Sequence, residues 1–424
     1  MRQPNKLIKR TMQLVLLGII VMAIAISYKQ KTSIKPTLVA DPSIYLEASE
    51  IASIQAQVET EIHPNMYLNA TEIAAIKTKV QAGAEPWKTA YESLIADANQ
   101  ALNEKPYSVT KDGGTNDDHD YEAISIYCGW REVDGKEPDC RDGKINPNIK
   151  RQDYEEAISL AKAVHNLGLA YAFTQDSKYA QQAISLIRAW CIEPNTRMNP
   201  KFTNSQSYIE LSITIPGLFW GADLLYNYPD WSAQEKETFV EWVAALANSA
   251  LKWHRTNNFE NWRVNFVAAA GAFLGDESLL NHAFGRYKEL IPIQIDPKGK
   301  MIRELNRTTS LTYSLYALNA MIQTAEIARH QGVNLYDYTS DGKRGLKLAL
   351  DYHATYAADT NPKDWSYQQK KPLKKDDNVA LYELAYSYWQ EPSYLKVINY
   401  WKRPMSEKRI LKQITLTHGN RFEL

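Results

Sequence analysis

The chain has 424 residues, 49 Lys+Arg against 49 Asp+Glu and 44% hydrophobic residues, an ordinary globular composition that excludes disordered and collagenous chains. Zero formal charge gives no broad electrostatic footprint for a polyanion, so nucleic acid is not an expected partner and any acidic ligand must be met locally. Gly 18 and Pro 18 together fall below the roughly 12% of average usage, which favours helix over an all-β fold.

Met1 to Arg10 carries four positive charges, and residues 11–27 (TMQLVLLGIIVMAIAIS) carry none. A basic flank before an apolar run is the pattern of an export signal, and Ala25-Ile26-Ser27 offers small residues where a signal peptidase reads. Cleavage after about Ser27 is expected. An uncleaved membrane anchor is the competing reading, because Lys29, Lys31 and Lys35 follow closely. Either reading puts the bulk of the chain in the periplasm or outside the cell. Residues 28–60 read as a linker and residues 61–424 as one domain.

From Asn69 onward apolar residues recur at three- and four-residue spacing, with little strict alternation. Asn69 or Thr71 caps a first helix with Ile73, Ile76 and Val80 inward, and a second runs from about Pro86 to Leu102. After a loop of about fifty residues rich in Asp, Gly and Pro, helical patterns pair as Tyr154–Phe173 with Lys178–Trp190 and as 207–227 with 232–251. Further pairs follow at 258–274 with 277–291, 309–330 with 342–357, and 377–389 with 393–401. Short links make partners antiparallel. Such hairpins bury their apolar faces on one another, and the closed solution is an all-α, incomplete α/α toroid. An open α-solenoid is the alternative, although no short repeat signature is present.

Cys128, Cys140 and Cys191 are too few and scattered for a zinc site or a disulfide scaffold. In an exported chain Cys128 could pair with Cys140 across an easily closed loop, though nothing in the sequence shows the bond. Cys191 reads as buried. Asp117, Asp118 and Asp120 lack the ligand spacing of a calcium loop, so no metal is expected.

Six segments stand out: HPNMYLNATEIAAIKTKVQAGAEPW (63–87), HDYEAISIYCGWRE (119–132), CRDGKINP (140–147), RAWCIEPNTRMNP (188–200), NNFENW (257–262) and RELNRTTSLTYSLYAL (303–318). In order and spacing they resemble the alginate lyase family of polysaccharide lyases, over roughly residues 63–340. The resemblance implies an α/α toroid that cleaves uronic-acid polymers, such as alginate, polymannuronate or a glucuronan, by β-elimination. It implies no cofactor, and the partner is the acidic polysaccharide itself. A monomer is expected.

Elimination removes the proton at C5, beside the carboxyl group, and expels the oxygen at C4. Donors aimed at the carboxyl oxygens, where charge develops, lower that barrier, and amide and guanidinium groups are suited to it. Asn258 stands where the family has the second asparagine of an Asn-Asn-His stretch, with Trp262 in step, and Arg307 matches an arginine upstream of the catalytic tyrosine. The plainer alternative for Asn258 is a helix cap. Arg307, a cation near a helix N-terminus, lies on the wrong side of the dipole. Tyr313 is the expected proton carrier. Its phenol, with an ordinary pKa near 10, needs that value brought down by roughly two to three to act as base, and a cation in contact supplies roughly one to three. An interior aromatic is the alternative, since Tyr313, Tyr316 and Ala317 share a helical face.

Phe259 breaks the pattern, because better-known members carry histidine there. His254, His119 or His165 could substitute, Tyr313 could carry both proton transfers, or only binding could remain. Asn204 and Gln206, read as exposed amides, are candidates for sugar hydroxyls, and Trp130 for stacking on a sugar face. The long loop before Tyr154 is expected to act as a lid. A glycoside hydrolase would need two opposed carboxyl groups, and nothing in the sequence pairs Glu260 with Glu304. A binding protein without chemistry is the reading from a different class.

Overall fold

Asn69 opens the first helix, α1 (Ala70–Gln81), with a reciprocal cap: its side chain accepts the Glu72 amide and the Glu72 carboxylate accepts the Asn69 amide. The computed structural model describes residues 63–110, 119–130, 139–407 and 409–419, all within the compact unit Tyr45–Leu424. The expected signal or anchor at 11–27 and the linker at 28–60 lie outside the described residues. No helix among the described residues is long and apolar enough to cross a membrane.

Hairpins follow as expected: α2 (Trp87–Ala101) completes the first, then α3 (Gln152–Thr174) with α4 (Ser177–Ile187), and α5 (Ser205–Leu225) with α6 (Ala233–Leu251). Next come α7 (Asn258–Leu274) with α8 (Glu277–Gln294), α9 (Ser310–His330) with α10 (Leu346–Ala357), and α11 (Leu381–Trp389) with α12 (Pro392–Trp401). Two of the links share one solution. Gln175 (φ 60°) and Gly275 (φ 65°) close α3 and α7 in the left-handed region, and Asp176 and Asp276 then cap α4 and α8.

Helices α3, α5, α7, α9 and α11 pack successively as an inner row, and their hairpin partners lie outside. Burial explains the division: all of α5 except Ser205 is buried, whereas α4, α6 and α12 bury one face. The α3–α5 crossing needs glycine, since a Cβ on Gly168 would stand 2.7 Å from the Gly221 carbonyl oxygen, and one on Gly221 would stand 2.5 Å from that of Val164. A short C-terminal helix, α13 (Ile414–His418), packs on α1, α2 and α11. The all-α, incomplete α/α toroid is the fold of the chain.

Some details depart from the sequence reading. The helix expected to reach Trp190 ends at Ile187 and widens into a π turn, Arg188–Ile192, which buries Trp190 and Cys191. A two-stranded hairpin, β1 (Thr339–Ser340) with β2 (Arg344–Gly345), precedes α10, which starts at Leu346 rather than 342. Cys128 and Cys140 are disulfide-bonded.

Candidate active site

The N-termini of α5, α7 and α9 and the segment before α3 converge on a cavity of about 520 Å³. Asn258, Arg307 and Tyr313, the three residues expected to carry chemistry, all line it.

Arg307 lies in the turn ahead of α9, so the helical offset between positions 307 and 313 does not separate them. Its guanidinium carbon stands 3.5 Å from the centre of the Tyr313 ring. Asp142 holds it there: Arg307 Nε and Nη2 donate to Asp142 Oδ1 at 3.0 and 2.6 Å, and the Thr308 amide donates to Oδ2 at 2.7 Å. Burial alone would raise the Asp142 carboxyl, but these bonds outweigh it and hold it below its ordinary value. Gly143 (φ 75°) lets the strand of loop come this close, because a Cβ there would meet Thr308 Oγ1 at 2.5 Å.

Glu304 ties the second donor to the first. Asn258 donates its backbone N–H and its Nδ2 to the two Glu304 oxygens, each at 2.8 Å, and Arg307 Nη1 lies 3.8 Å from Glu304 Oε2. Asn258 is fully buried, and its amide nitrogen has two hydrogens, of which the Glu304 bond uses one. Burial pushes the Glu304 carboxyl up, against the Asn258 bonds. Asn257 is the residue at the cap position of α7, and its side chain makes no capping bond. The cap reading of Asn258 is therefore replaced by a bond to Glu304.

The Tyr313 hydroxyl meets that of Tyr127 at 2.7 Å. Here one expectation is corrected: burial raises the Tyr313 phenol well above its ordinary value, and the opposing pull of Arg307 does not overcome it. Tyr127 was not singled out from sequence. It sits beside the disulfide on a loop fixed by Arg141 N–H to its carbonyl at 2.8 Å and by Asn146 Nδ2 to the Cys128 carbonyl at 2.6 Å. The Cys-Gly-Trp and Cys-Arg-Asp-Gly segments were the available signal, since together they bring Tyr127 and Asp142 to Arg307.

Phe259 lines the cavity, 6.1 Å from the Tyr208 ring, and among the described residues no histidine lines it. His254, His119 and His165 are all elsewhere. His254 is exposed, and burial and then Arg263 lower its pKa. His119 Nδ1 meets the Arg197 carbonyl at 2.7 Å. His165 is fully buried, 4.2 Å from the Trp220 ring, and burial takes it down to about 3.

Other expected contacts are also corrected. Gln206 lines the cavity but is buried, accepting the Ile126 amide at 3.2 Å and donating to Glu210 at 2.9 Å. Asn204 lies outside the lining. Its amide caps α5 by accepting from Gln206 and Ser207, and donates to the Ala123 carbonyl. Trp262 is fully buried, 5.1 Å from the Tyr316 ring, and Trp130 lies under the Arg141 guanidinium at 4.7 Å, so neither faces the cavity. Glu260 serves structure, bound by Arg263, Arg286 and Tyr208. Asp376, Asn378 and Arg409 line the cavity from a region that carried no motif.

The alginate lyase family profile matches residues 68–365. No curated protein matches the chain significantly. The crystal structure of an alginate lyase from Bacteroides ovatus is similar at a TM-score of 0.71 and 25% identity, covering 84% of this chain and 99% of that one. Alginate lyase A1-III from Sphingomonas species A1 shares the fold at a TM-score of 0.56 and 17% identity, covering 90% and 97%. A variant of A1-III complexed with tetrasaccharide reaches 0.60 at 20% identity, covering 84% and 98%.

Proposed function

The chain belongs to the alginate lyase family and is a polysaccharide lyase, and from that premise we propose that it acts on a uronic-acid polymer by β-elimination with Tyr313 as the proton carrier. The observation that carries this reading is the placement of the Tyr313 hydroxyl in a cavity with Arg307 and Asn258 and, among the described residues, without a lining histidine.

In this reading the substrate carboxylate takes hydrogen bonds from Arg307 and from the remaining Asn258 Nδ2 hydrogen, which stabilise charge spreading from C5. The C5–H bond breaks and its proton passes to Oη of Tyr313 in its phenolate form, which becomes the neutral phenol. The electron pair forms the C4–C5 double bond, and the C4–O bond breaks with its pair on the leaving oxygen. Tyr313 then returns a proton to that oxygen. One group can serve both steps only when the C5 hydrogen and the C4 oxygen lie on the same face of the ring. Mannuronate and glucuronate meet that condition and guluronate, the C5 epimer of mannuronate, does not. Phe259 provides no second base for the opposite face.

Action outside the cytosol is part of the proposal. The basic and apolar N-terminus supports it, as does the Cys128–Cys140 bond, a type that persists in oxidising compartments. Cell fractionation tests this part.

The test of the chemistry is ultraviolet absorbance of the new conjugated double bond with polymannuronate, glucuronan, hyaluronan, polyguluronate and alginate. A rise on mannuronate or glucuronate polymers with none on polyguluronate is expected. A rise on polyguluronate alone contradicts the single-carrier reading. No rise on any polymer, with binding retained, overturns elimination in favour of binding.

A further inference from the structure

Helices α1, α9 and α13 meet in a cluster of ionisable side chains, none of which lines the cavity. Glu72 of α1, Glu326 of α9 and His418 of α13 are buried, and the His330 side chain at the end of α9 is 2% exposed. Arg329 Nη2 donates to Glu72 Oε1 and to Glu326 Oε1, each at 2.7 Å. His330 Nε2 meets Glu72 Oε2 at 2.8 Å, and its Nδ1 meets the Glu326 carbonyl oxygen at 3.1 Å. Arg329 Nη2 also stands 3.1 Å from His330 Nε2, the two groups flanking one carboxylate. Glu326 Oε2 accepts from the Tyr336 hydroxyl at 2.7 Å, and Oε1 lies 3.1 Å from His418 Nε2.

The acceptors fix the protonation of His330. Burial works against the Glu72 carboxylate, but His330 and Arg329 hold it down at about 2, and Glu326 is likewise held ionised against its burial by His418, Arg329 and His330. Both His330 ring nitrogens therefore face oxygens without a hydrogen, and only the imidazolium satisfies them. Imidazolium and Arg329 balance the two carboxylates, whereas a neutral His330 leaves a buried charge uncompensated. His418 serves as a neutral ring, because its Nδ1 faces the Thr417 hydroxyl at 2.8 Å, a group able to donate. The other ionisable groups around the cluster supply no cation: burial keeps the Tyr67, Tyr287 and Tyr336 phenols neutral, and Glu383 of α11 is engaged by Arg403 and Thr415.

Helix α13 ends the segment 403–419, whose Arg409 lines the cavity and donates to the Tyr154 hydroxyl at 3.2 Å. We propose that the cluster is a pH-sensitive latch that fastens this part of the cavity wall to α1 and α9, closed by the His330 imidazolium and loosened when its proton leaves. Lifting α13 lets water reach Glu326 and relieves the excess negative charge. Burial alone would lower the His330 pKa, yet its contacts with Glu72 and Glu326 raise it above the ordinary value. The latch is thus at full strength below a pH of about 6.5 and weakens as pH rises through the raised value.

The experiment is hydrogen exchange of the backbone amides of residues 403–419 in the full-length chain, read by mass spectrometry from acidic to alkaline pH and corrected for intrinsic exchange. The segment stays closed most of the time, and its opening is expected to rise up to tenfold per pH unit between about 6.5 and the raised His330 value, then level off. His330→Gln removes that dependence. Glu72→Gln removes the carboxylate that the imidazolium balances, makes a neutral His330 tolerable and flattens the same profile, so it stands in should His330→Gln fail to fold. Opening in the native chain that does not change with pH, or a folded variant at either position that keeps the native dependence, overturns the latch and leaves the elimination standing.

Discussion

The Arg307 guanidinium carbon stands over the Tyr313 ring, 3.5 Å from its centre, yet burial still holds the Tyr313 phenol above its ordinary value. Neutral phenol is the correct form for donating to the leaving oxygen, and the rare phenolate is the form that removes the C5 proton. Cleavage should therefore accelerate with pH, close to tenfold in kcat/KM per pH unit from neutral into the alkaline range, until the protein unfolds. A profile that is flat above neutral pH would show that another group takes the proton.

Asp142 bonds to both Arg307 and the Thr308 amide. Asp142→Asn cannot accept two guanidinium N–H groups as a charge, so Arg307 leaves the Tyr313 face. We expect kcat/KM to fall by at least tenfold. The unfolding temperature should fall modestly too, because the pair is mostly buried and the Thr308 amide loses its carboxylate acceptor. Steady-state kinetics alongside thermal unfolding separates the two effects.

The disulfide constrains the loop that carries Tyr127 to the Tyr313 hydroxyl. Replacing Cys128 and Cys140 with serine removes a crosslink across a sequence separation of 12, a change that costs roughly 3 kcal/mol by loop-closure entropy. Activity on polymer should fall further than that loss of stability explains at temperatures where the variant is folded. Equal activity in the oxidised protein and the serine variant would remove Tyr127 from the account.

Asn204 provides a control outside the cavity. Its side chain caps α5, so Asn204→Ala should cost about 1 kcal/mol and leave KM within about twofold. Denaturant unfolding and kinetics on the same polymer check it. A large rise in KM with unchanged stability would return Asn204 to the substrate.

Periodicity made the helices legible. The apolar spacing over 258–274 matches α7 from end to end, and Asn69 caps α1 as its side-chain chemistry implies. Asn258, Arg307 and Tyr313 were found because short motifs carry them. Tyr127, Arg151 and Arg409 were not, since each reaches the cavity from a loop or segment end whose position depends on contacts distant in sequence. Trp262 and Trp130 were misplaced for a different reason. An aromatic that packs in a core has the same sequence signature as one that stacks on a sugar, and only burial separates them. The π turn at Arg188–Ile192 leaves no mark in a 3.6-residue period, and α13 is too short to show one.

The central claim is that Tyr313 carries the proton, and it is tested most directly by the rate of double-bond formation in Tyr313→Phe against the native chain on the polymer cleaved best. Loss of the hydroxyl should lower kcat by at least about a hundredfold, with polymer affinity kept within a few fold because Arg307 and Asn258 remain. A Tyr313→Phe protein that retains more than a tenth of native kcat would contradict the account.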